Sequence, residues 1–97
     1  MNDPMWYIET YDGNGRLTDI NDVGYPTKEE CEEQIRKYEE EDQEFRKSMM
    51  DRYESKLKAF VLDESTEDRE PLRPIFLTYI RKPRRYLLDE RGFNDVD

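Results

Sequence analysis

The sequence predicts an α+β fold in which a small antiparallel sheet packs against a long amphipathic helix or helix pair. Three observations lead to this prediction. A Gly-rich turn separates two β-prone segments near the N-terminus, a long stretch without Gly or Pro has helical periodicity, and further β-prone segments follow near the C-terminus. We expect residues 1–97 to form a single domain, whose sheet consists of an N-terminal hairpin and one or two C-terminal strands.

Residues 5–20 are predicted to form a β-hairpin. The first half is rich in β-branched and aromatic residues, and its alternation places Trp6, Ile8 and Thr10 on one face. The run Asp-Gly-Asn-Gly that begins at Asp12 is typical of a turn, because Gly and Asn tolerate positive φ.

The same turn can be compared with the calcium loop of an EF-hand. Counted from Asp12, that loop needs a ligand at position 5, Gly at position 6 and Glu at position 12. These positions hold Arg16, Leu17 and Val23. The pattern fails three times, so the hairpin turn is the preferred interpretation.

Residues 27–62 are predicted to form a helix, or two helices with a break near Ser48 or Ser55. Thr27 and Glu30 have the spacing of a capping box, in which each side chain bonds the other residue's backbone N–H. Apolar residues then recur in steps of three, four and seven, which is the spacing of one helix face. This apolar stripe consists of Cys31, Ile35, Tyr38, Phe45, Met49, Tyr53, Leu57 and Phe60.

The C-terminal strands are expected within residues 75–88. Residues 75–80, Ile-Phe-Leu-Thr-Tyr-Ile, are the most β-prone segment of the chain, and we predict a central strand there. Pro83 is expected to end that strand, because proline has no N–H to donate. A last short strand is expected at residues 86–88.

Two segments around these strands are predicted to lack regular structure. Residues 63–74 contain many charged residues and two Pro, a composition that is typical of a surface loop. Residues 89–97 are mostly polar, so we expect a frayed tail.

The composition excludes several classes of function. The chain has no His and one Cys, so it has no Ser-His-Asp or Cys-His catalytic set and lacks the commonest zinc ligands. A single Cys forms no disulfide within the chain, and Cys31 is expected to be a small buried hydrophobe on the apolar stripe. We therefore predict no enzyme activity, no cofactor and no metal site.

The charge and the hydropathy of the chain indicate where it acts. No apolar run approaches the roughly 18 residues that cross a bilayer, and no secretory signal is recognisable at the N-terminus. The net charge of −9 repels nucleic acid and anionic lipid. We expect a cytoplasmic protein whose partners are basic proteins.

The acidic half of the predicted helix is the strongest candidate for a binding surface. Residues 29–44 contain nine carboxylates and two basic residues. Four of the carboxylates fall opposite the apolar stripe and span about 22 Å at 1.5 Å per residue, a length comparable with several DNA phosphates. The carboxylates predicted to bind a partner are Glu29, Glu30, Glu32, Glu33, Glu40, Glu41 and Glu44. The alternative is a solvated face that keeps the protein soluble.

A small acidic chain with no catalytic set and a carboxylate-lined helix resembles the DNA-mimic inhibitors encoded by phages, among them the anti-CRISPR proteins. The resemblance rests on the overall charge and on Glu29–Glu44. It implies a non-enzymatic inhibitor, in the cytoplasm of a bacterial host, that binds the basic DNA-binding surface of a protein or ribonucleoprotein complex. A CRISPR surveillance complex would be such a target, and its target DNA would be blocked. Direct contact with nucleic acid or a membrane is not expected.

Other hypotheses remain open. The chain is alternatively a small structural or adaptor protein that forms a homodimer or docks through an apolar helix face, which includes Met49 or Met50. The basic segment Arg81–Arg85 balances the acidic helix within the fold or pairs with an acidic patch on a partner. An acid–base or metal-dependent enzyme is disfavoured, because it needs carboxylates fixed in a concave site.

Overall fold

The computed structural model describes residues 3–63 and 69–96, which form one helix and four strands. The strands pair antiparallel in a single sheet of order β2-β1-β3-β4. The predicted α+β class, a small antiparallel sheet with a long helix, is therefore confirmed. In chain order the elements are β1 (Met5–Tyr11), β2 (Leu17–Ile20), α1 (Lys28–Val61), β3 (Ile80–Asp89) and β4 (Gly92–Asp95).

The N-terminal hairpin consists of β1, β2 and a turn organised by Asp12. The Asp12 carboxylate accepts hydrogen bonds from the backbone N–H groups of Asn14 and Arg16, each at 2.9 Å. Gly15 lies in the left-handed region with φ 81°, where glycine costs least. Asp12 therefore shapes a tight turn, as the hairpin prediction requires.

The helix α1 is continuous over 34 residues, so the alternative of two helices is wrong. At its start, the hydroxyl of Thr27 accepts a hydrogen bond from the backbone N–H of Glu30 at 3.2 Å, which confirms Thr27 as the cap. At its end, Asp63 has φ 59° and donates its N–H to the carbonyl of Phe60 at 3.1 Å. This left-handed residue stops the helix directly after the apolar residues Phe60, Val61 and Leu62.

The prediction of a strand at residues 75–80 is wrong, because only Ile80 of this segment lies in a strand. Residues 71–79 have no regular secondary structure, and β3 begins at Ile80. Ile80 pairs with Tyr11, which is the last residue of β1. Upstream of Ile80 the sheet offers no further partner, and β-prone residues form a strand only where a neighbour completes their hydrogen bonds. The short strand expected at residues 86–88 is part of β3.

Pro83 does not end the strand, because it lies inside β3 opposite Ile8. The carbonyl of Ile8 accepts a hydrogen bond from the N–H of Asn21, so the backbone polar groups of Ile8 point away from β3. Ile8 and Pro83 are thus a non-hydrogen-bonded pair. The Pro83 nitrogen therefore points to the β4 side of β3. The strand β4 pairs with β3 only from Tyr86 onward, so no partner strand lies opposite Pro83 on that side and no hydrogen bond of the sheet is lost.

The tail predicted to be frayed, residues 89–97, instead contains β4. The backbone N–H of Arg91 donates to the Asp89 carboxylate at 2.7 Å, and Gly92 has φ 105°. These two features form a tight turn that returns the chain along β3. Phe93 then pairs with Leu88 and supplies the apolar side chain that holds β4 to the sheet.

The chain divides into two compact units. The sheet unit comprises residues 1–38 and 77–97, and the helix unit comprises residues 39–76. The core of the sheet unit is formed by Ile8, Cys31 and Ile35, with Trp6, Tyr25 and Tyr38 packed against it. The predicted face of β1 and the predicted burial of Cys31 are both confirmed.

The other face of β1 packs into an aromatic cluster. The ring of Tyr7 lies 4.9 Å from Phe93 and 6.3 Å from Tyr86, measured between ring centres. A Cβ atom added to Gly24 would lie 3.0 Å from the ring and hydroxyl of Tyr7, so the loop after β2 passes closely over this ring. Both faces of β1 are therefore covered within the sheet unit.

Candidate partner-binding surface

A shallow acidic cleft lies along the first turns of α1 in the sheet unit. Its volume is about 460 Å³. One wall is formed by residues of α1, and the other is formed by Tyr25, which lies two residues before the cap Thr27. Three of the seven carboxylates predicted to bind a partner lie in it. The acidic cleft is lined by Tyr25, Glu29, Glu30, Glu33, Gln34 and Lys37.

The two walls of the cleft are fixed by the core of the sheet unit. Tyr25 forms an antiparallel bridge with Trp6, in which each residue donates its N–H to the other's carbonyl at 2.8 Å. On α1, Cys31 and Ile35 are buried against Ile8. Because these two residues anchor the helix, the carboxylates between and around them face solvent.

The carboxylates of the cleft differ in how strongly they are neutralised. The Arg36 guanidinium forms an ion pair with Glu33, and its Nε donates to Glu33 at 3.2 Å. This hydrogen bond lowers the pKa of Glu33. Within the described part of the chain, neither Glu29 nor Glu30 forms an ion pair, and both residues are exposed.

The other four predicted carboxylates lie outside the cleft. Glu32 is exposed on the sheet unit's part of α1. Glu40, Glu41 and Glu44 are exposed in the helix unit. The structure therefore brings together Glu29, Glu30 and Glu33 and leaves the rest apart from them.

This arrangement is suited to binding a cation from a partner protein. A tyrosine side chain is a neutral phenol at pH 7, and burial raises the pKa of Tyr25 further above that pH. A guanidinium or ammonium group can lie against such a ring while it pairs with the neighbouring carboxylates. The contribution of Tyr25 could not be read from the sequence, since it depends on the bridge to Trp6.

The structure also contains a buried carboxylate, Glu9, which the sequence analysis did not predict. It is 3% exposed and accepts hydrogen bonds from the hydroxyls of Tyr11 and Tyr86. Burial, together with the bond to Glu9, raises the pKa of Tyr86 to about 12. The alternation Tyr7, Glu9, Tyr11 along β1 is the available sequence signal, because it places phenols beside a carboxylate on one face.

The basic segment Arg81–Arg85 is built into β3 and contacts aromatic rings. The guanidinium of Arg81 lies 5.5 Å from the ring centre of Tyr38, and the ammonium of Lys82 lies 5.4 Å from that of Tyr11. Arg84 forms an ion pair with Asp95 on β4. These basic residues thus contribute to the sheet unit itself.

No protein-family model, curated protein or solved structure matches the chain. Among the described residues, no group of three or more acidic or Cys side chains is arranged to hold a metal ion. The helix of the described chain is too polar to cross a membrane. Function is therefore inferred from the acidic cleft itself.

Proposed function

We propose that the protein is a non-enzymatic inhibitor that binds a basic, nucleic-acid-binding surface of another protein or ribonucleoprotein complex and blocks its target DNA. The target that we propose is a CRISPR surveillance complex. The acidic cleft carries the proposal, because Tyr25, Glu29 and Glu30 line it together and neither carboxylate forms an ion pair among the described residues. Arginine and lysine side chains that normally hold DNA phosphates fit such a site.

The overall charge supports the same proposal. A net charge of −9 steers the protein toward basic surfaces and away from nucleic acid. Occlusion of a DNA-binding surface needs no chemical step, in keeping with a chain that lacks His. Because the cleft is open to solvent, we expect its ion pairs to weaken as salt increases.

Neutralisation of the cleft tests this proposal. In the triple variant Glu29→Gln, Glu30→Gln, Glu33→Gln, the side chains keep their size and lose their charge. We expect the dissociation constant for a purified surveillance complex that the wild type binds to rise at least about tenfold, or about 1.4 kcal/mol. Surface plasmon resonance on the purified components measures it.

A matched control separates the cleft from the net charge. The triple variant Asp19→Asn, Glu54→Gln, Glu90→Gln removes three exposed carboxylates from other positions. It has the same net charge as the cleft variant and should bind as the wild type does. Equal weakening by both variants would mean that the charge acts as a whole and that the cleft is not the site.

A further inference from the structure

The helix unit lacks a core of its own. Among its described residues, 39–63 and 69–76, none is buried. The stretch of α1 from residue 39 to Val61 is thus covered only in part, and helices in proteins owe most of their stability to the packing of an apolar face. A partner that covers the apolar side chains of this unit would therefore stabilise it.

Large apolar side chains of the helix unit remain in solvent. Phe45 meets the ring of Phe76 edge-on at 6.4 Å, yet it is 61% exposed. Leu72 and Ile75 are 93% and 91% exposed. Single exposed apolar residues are ordinary, but several on one unit indicate an interface.

A groove in the same unit indicates the charge and polarity of the surface that would bind there. It has a volume of about 600 Å³ and lies between α1 and the segment Arg69–Pro74. Its apolar lining includes Met49, Tyr53 and Leu72. Four cations line it against one carboxylate, namely Arg52, Lys56, Arg69 and Arg73 against Glu70. This basic groove belongs to a chain whose net charge is −9.

All four cations of the basic groove are exposed to solvent. Within the described ranges, none of the four forms an ion pair. The complementary ligand therefore carries several negative charges and at least one apolar side chain.

The helix unit itself carries that complement. The segment Glu39–Phe45 reads Glu-Glu-Glu-Asp-Gln-Glu-Phe, with five carboxylates followed by the exposed ring of Phe45. Its last carboxylate, Glu44, precedes Arg52 by eight residues on the same helix, or about 12 Å at 1.5 Å per residue, which is too far for the two side chains to pair within one chain.

We propose that the basic groove binds the acidic segment Glu39–Phe45 of a second copy of the chain. When two α1 helices lie antiparallel about a two-fold axis near Ser48, each acidic segment meets the other copy's groove. Both contacts are equivalent, so the assembly closes as a dimer. This inference uses only the helix unit and does not rest on the function proposed for the acidic cleft.

The mass in solution is the first test. We expect sedimentation equilibrium at low salt to give, with rising concentration, a mass approaching twice the 11.9 kDa of one chain. The dimer should dissociate as salt increases, because the contact joins opposite charges at the surface. A wild-type protein that stays monomeric up to about 0.5 mM, which corresponds to an association weaker than about 4.5 kcal/mol, would overturn the proposal.

Charge reversal on each side of the contact is the second test. The groove variant Arg52→Glu, Arg73→Glu and the segment variant Glu39→Lys, Glu41→Lys, Glu44→Lys should each be monomeric. An equimolar mixture of the two should restore a one-to-one dimer, since both contacts again join opposite charges. A mixture that remains monomeric, or a dimer that persists in either variant alone, would contradict the assigned contact.

Two controls complete the design. The variant Arg16→Glu, Arg91→Glu makes the same charge change as the groove variant at exposed positions of the sheet unit, and it should still dimerise. The cleft variant with Gln at positions 29, 30 and 33 should also dimerise. Loss of target binding and loss of the dimer are thereby measured independently.

Discussion

Position 9 shows how a charge is accommodated in so small a protein. The Glu9 carboxylate is buried on β1, and the hydroxyls of Tyr11 and Tyr86 donate to it. We expect Tyr86→Phe to lower the free energy of unfolding by about 1–3 kcal/mol, because it leaves the buried carboxylate one donor short. Urea denaturation at pH 7 measures the loss. The control Tyr79→Phe alters an exposed phenol and should change stability by less than about 0.5 kcal/mol.

Two buried acids make the fold sensitive to alkali. Burial raises the pKa of Cys31 from 9.0 to about 11, and burial with the bond to Glu9 raises that of Tyr86 from 10.0 to about 12. In the unfolded chain these groups lose their protons first, so unfolding is favoured as pH rises. We expect full stability below about pH 9 and progressive loss between pH 9 and 12. Urea midpoints at pH 8 and pH 11 test this, and equal midpoints would contradict it.

The start of α1 depends on one short side chain. The Thr27 hydroxyl accepts a hydrogen bond from the backbone N–H of Glu30, and the acidic cleft begins two residues after the cap. We expect Thr27→Ala to cost about 1 kcal/mol of unfolding free energy, whereas Thr27→Ser should retain most of it. Thermal unfolding followed by circular dichroism at 222 nm distinguishes the two. An alanine variant as stable as the wild type would show that the cap contributes nothing.

The elements differ in how well the sequence predicts them. The hairpin and α1 are predictable because their signals are local, such as the turn at Asp12 and the three-residue spacing of Thr27 and Glu30. The strand β3 is not, since its start is set by the pairing of Ile80 with Tyr11, far away in the chain. At the cleft, the exposure of its carboxylates follows from helical spacing. The part played by Tyr25 depends on a tertiary bridge.

In the molecule as a whole, each of the two units carries both an acidic and a basic region. The sheet unit presents the acidic cleft and holds its basic residues against aromatic rings, while the helix unit has a basic groove and an acidic segment. Under the two proposals, the sheet unit binds a basic target and the helix unit binds a second copy of the chain. The two associations use different residues, so each can be abolished separately.

Competition with DNA on purified components is the decisive measurement. The immobilised protein is exposed to purified DNA-binding CRISPR surveillance complexes, with and without an excess of their target DNA. We expect one complex to bind, its binding to be lost when DNA is added, and the cleft variant with Gln at positions 29, 30 and 33 to bind at least about tenfold more weakly. Binding that survives saturating DNA, or that is unchanged in the cleft variant, would contradict the proposal that the acidic cleft occupies a DNA-binding surface.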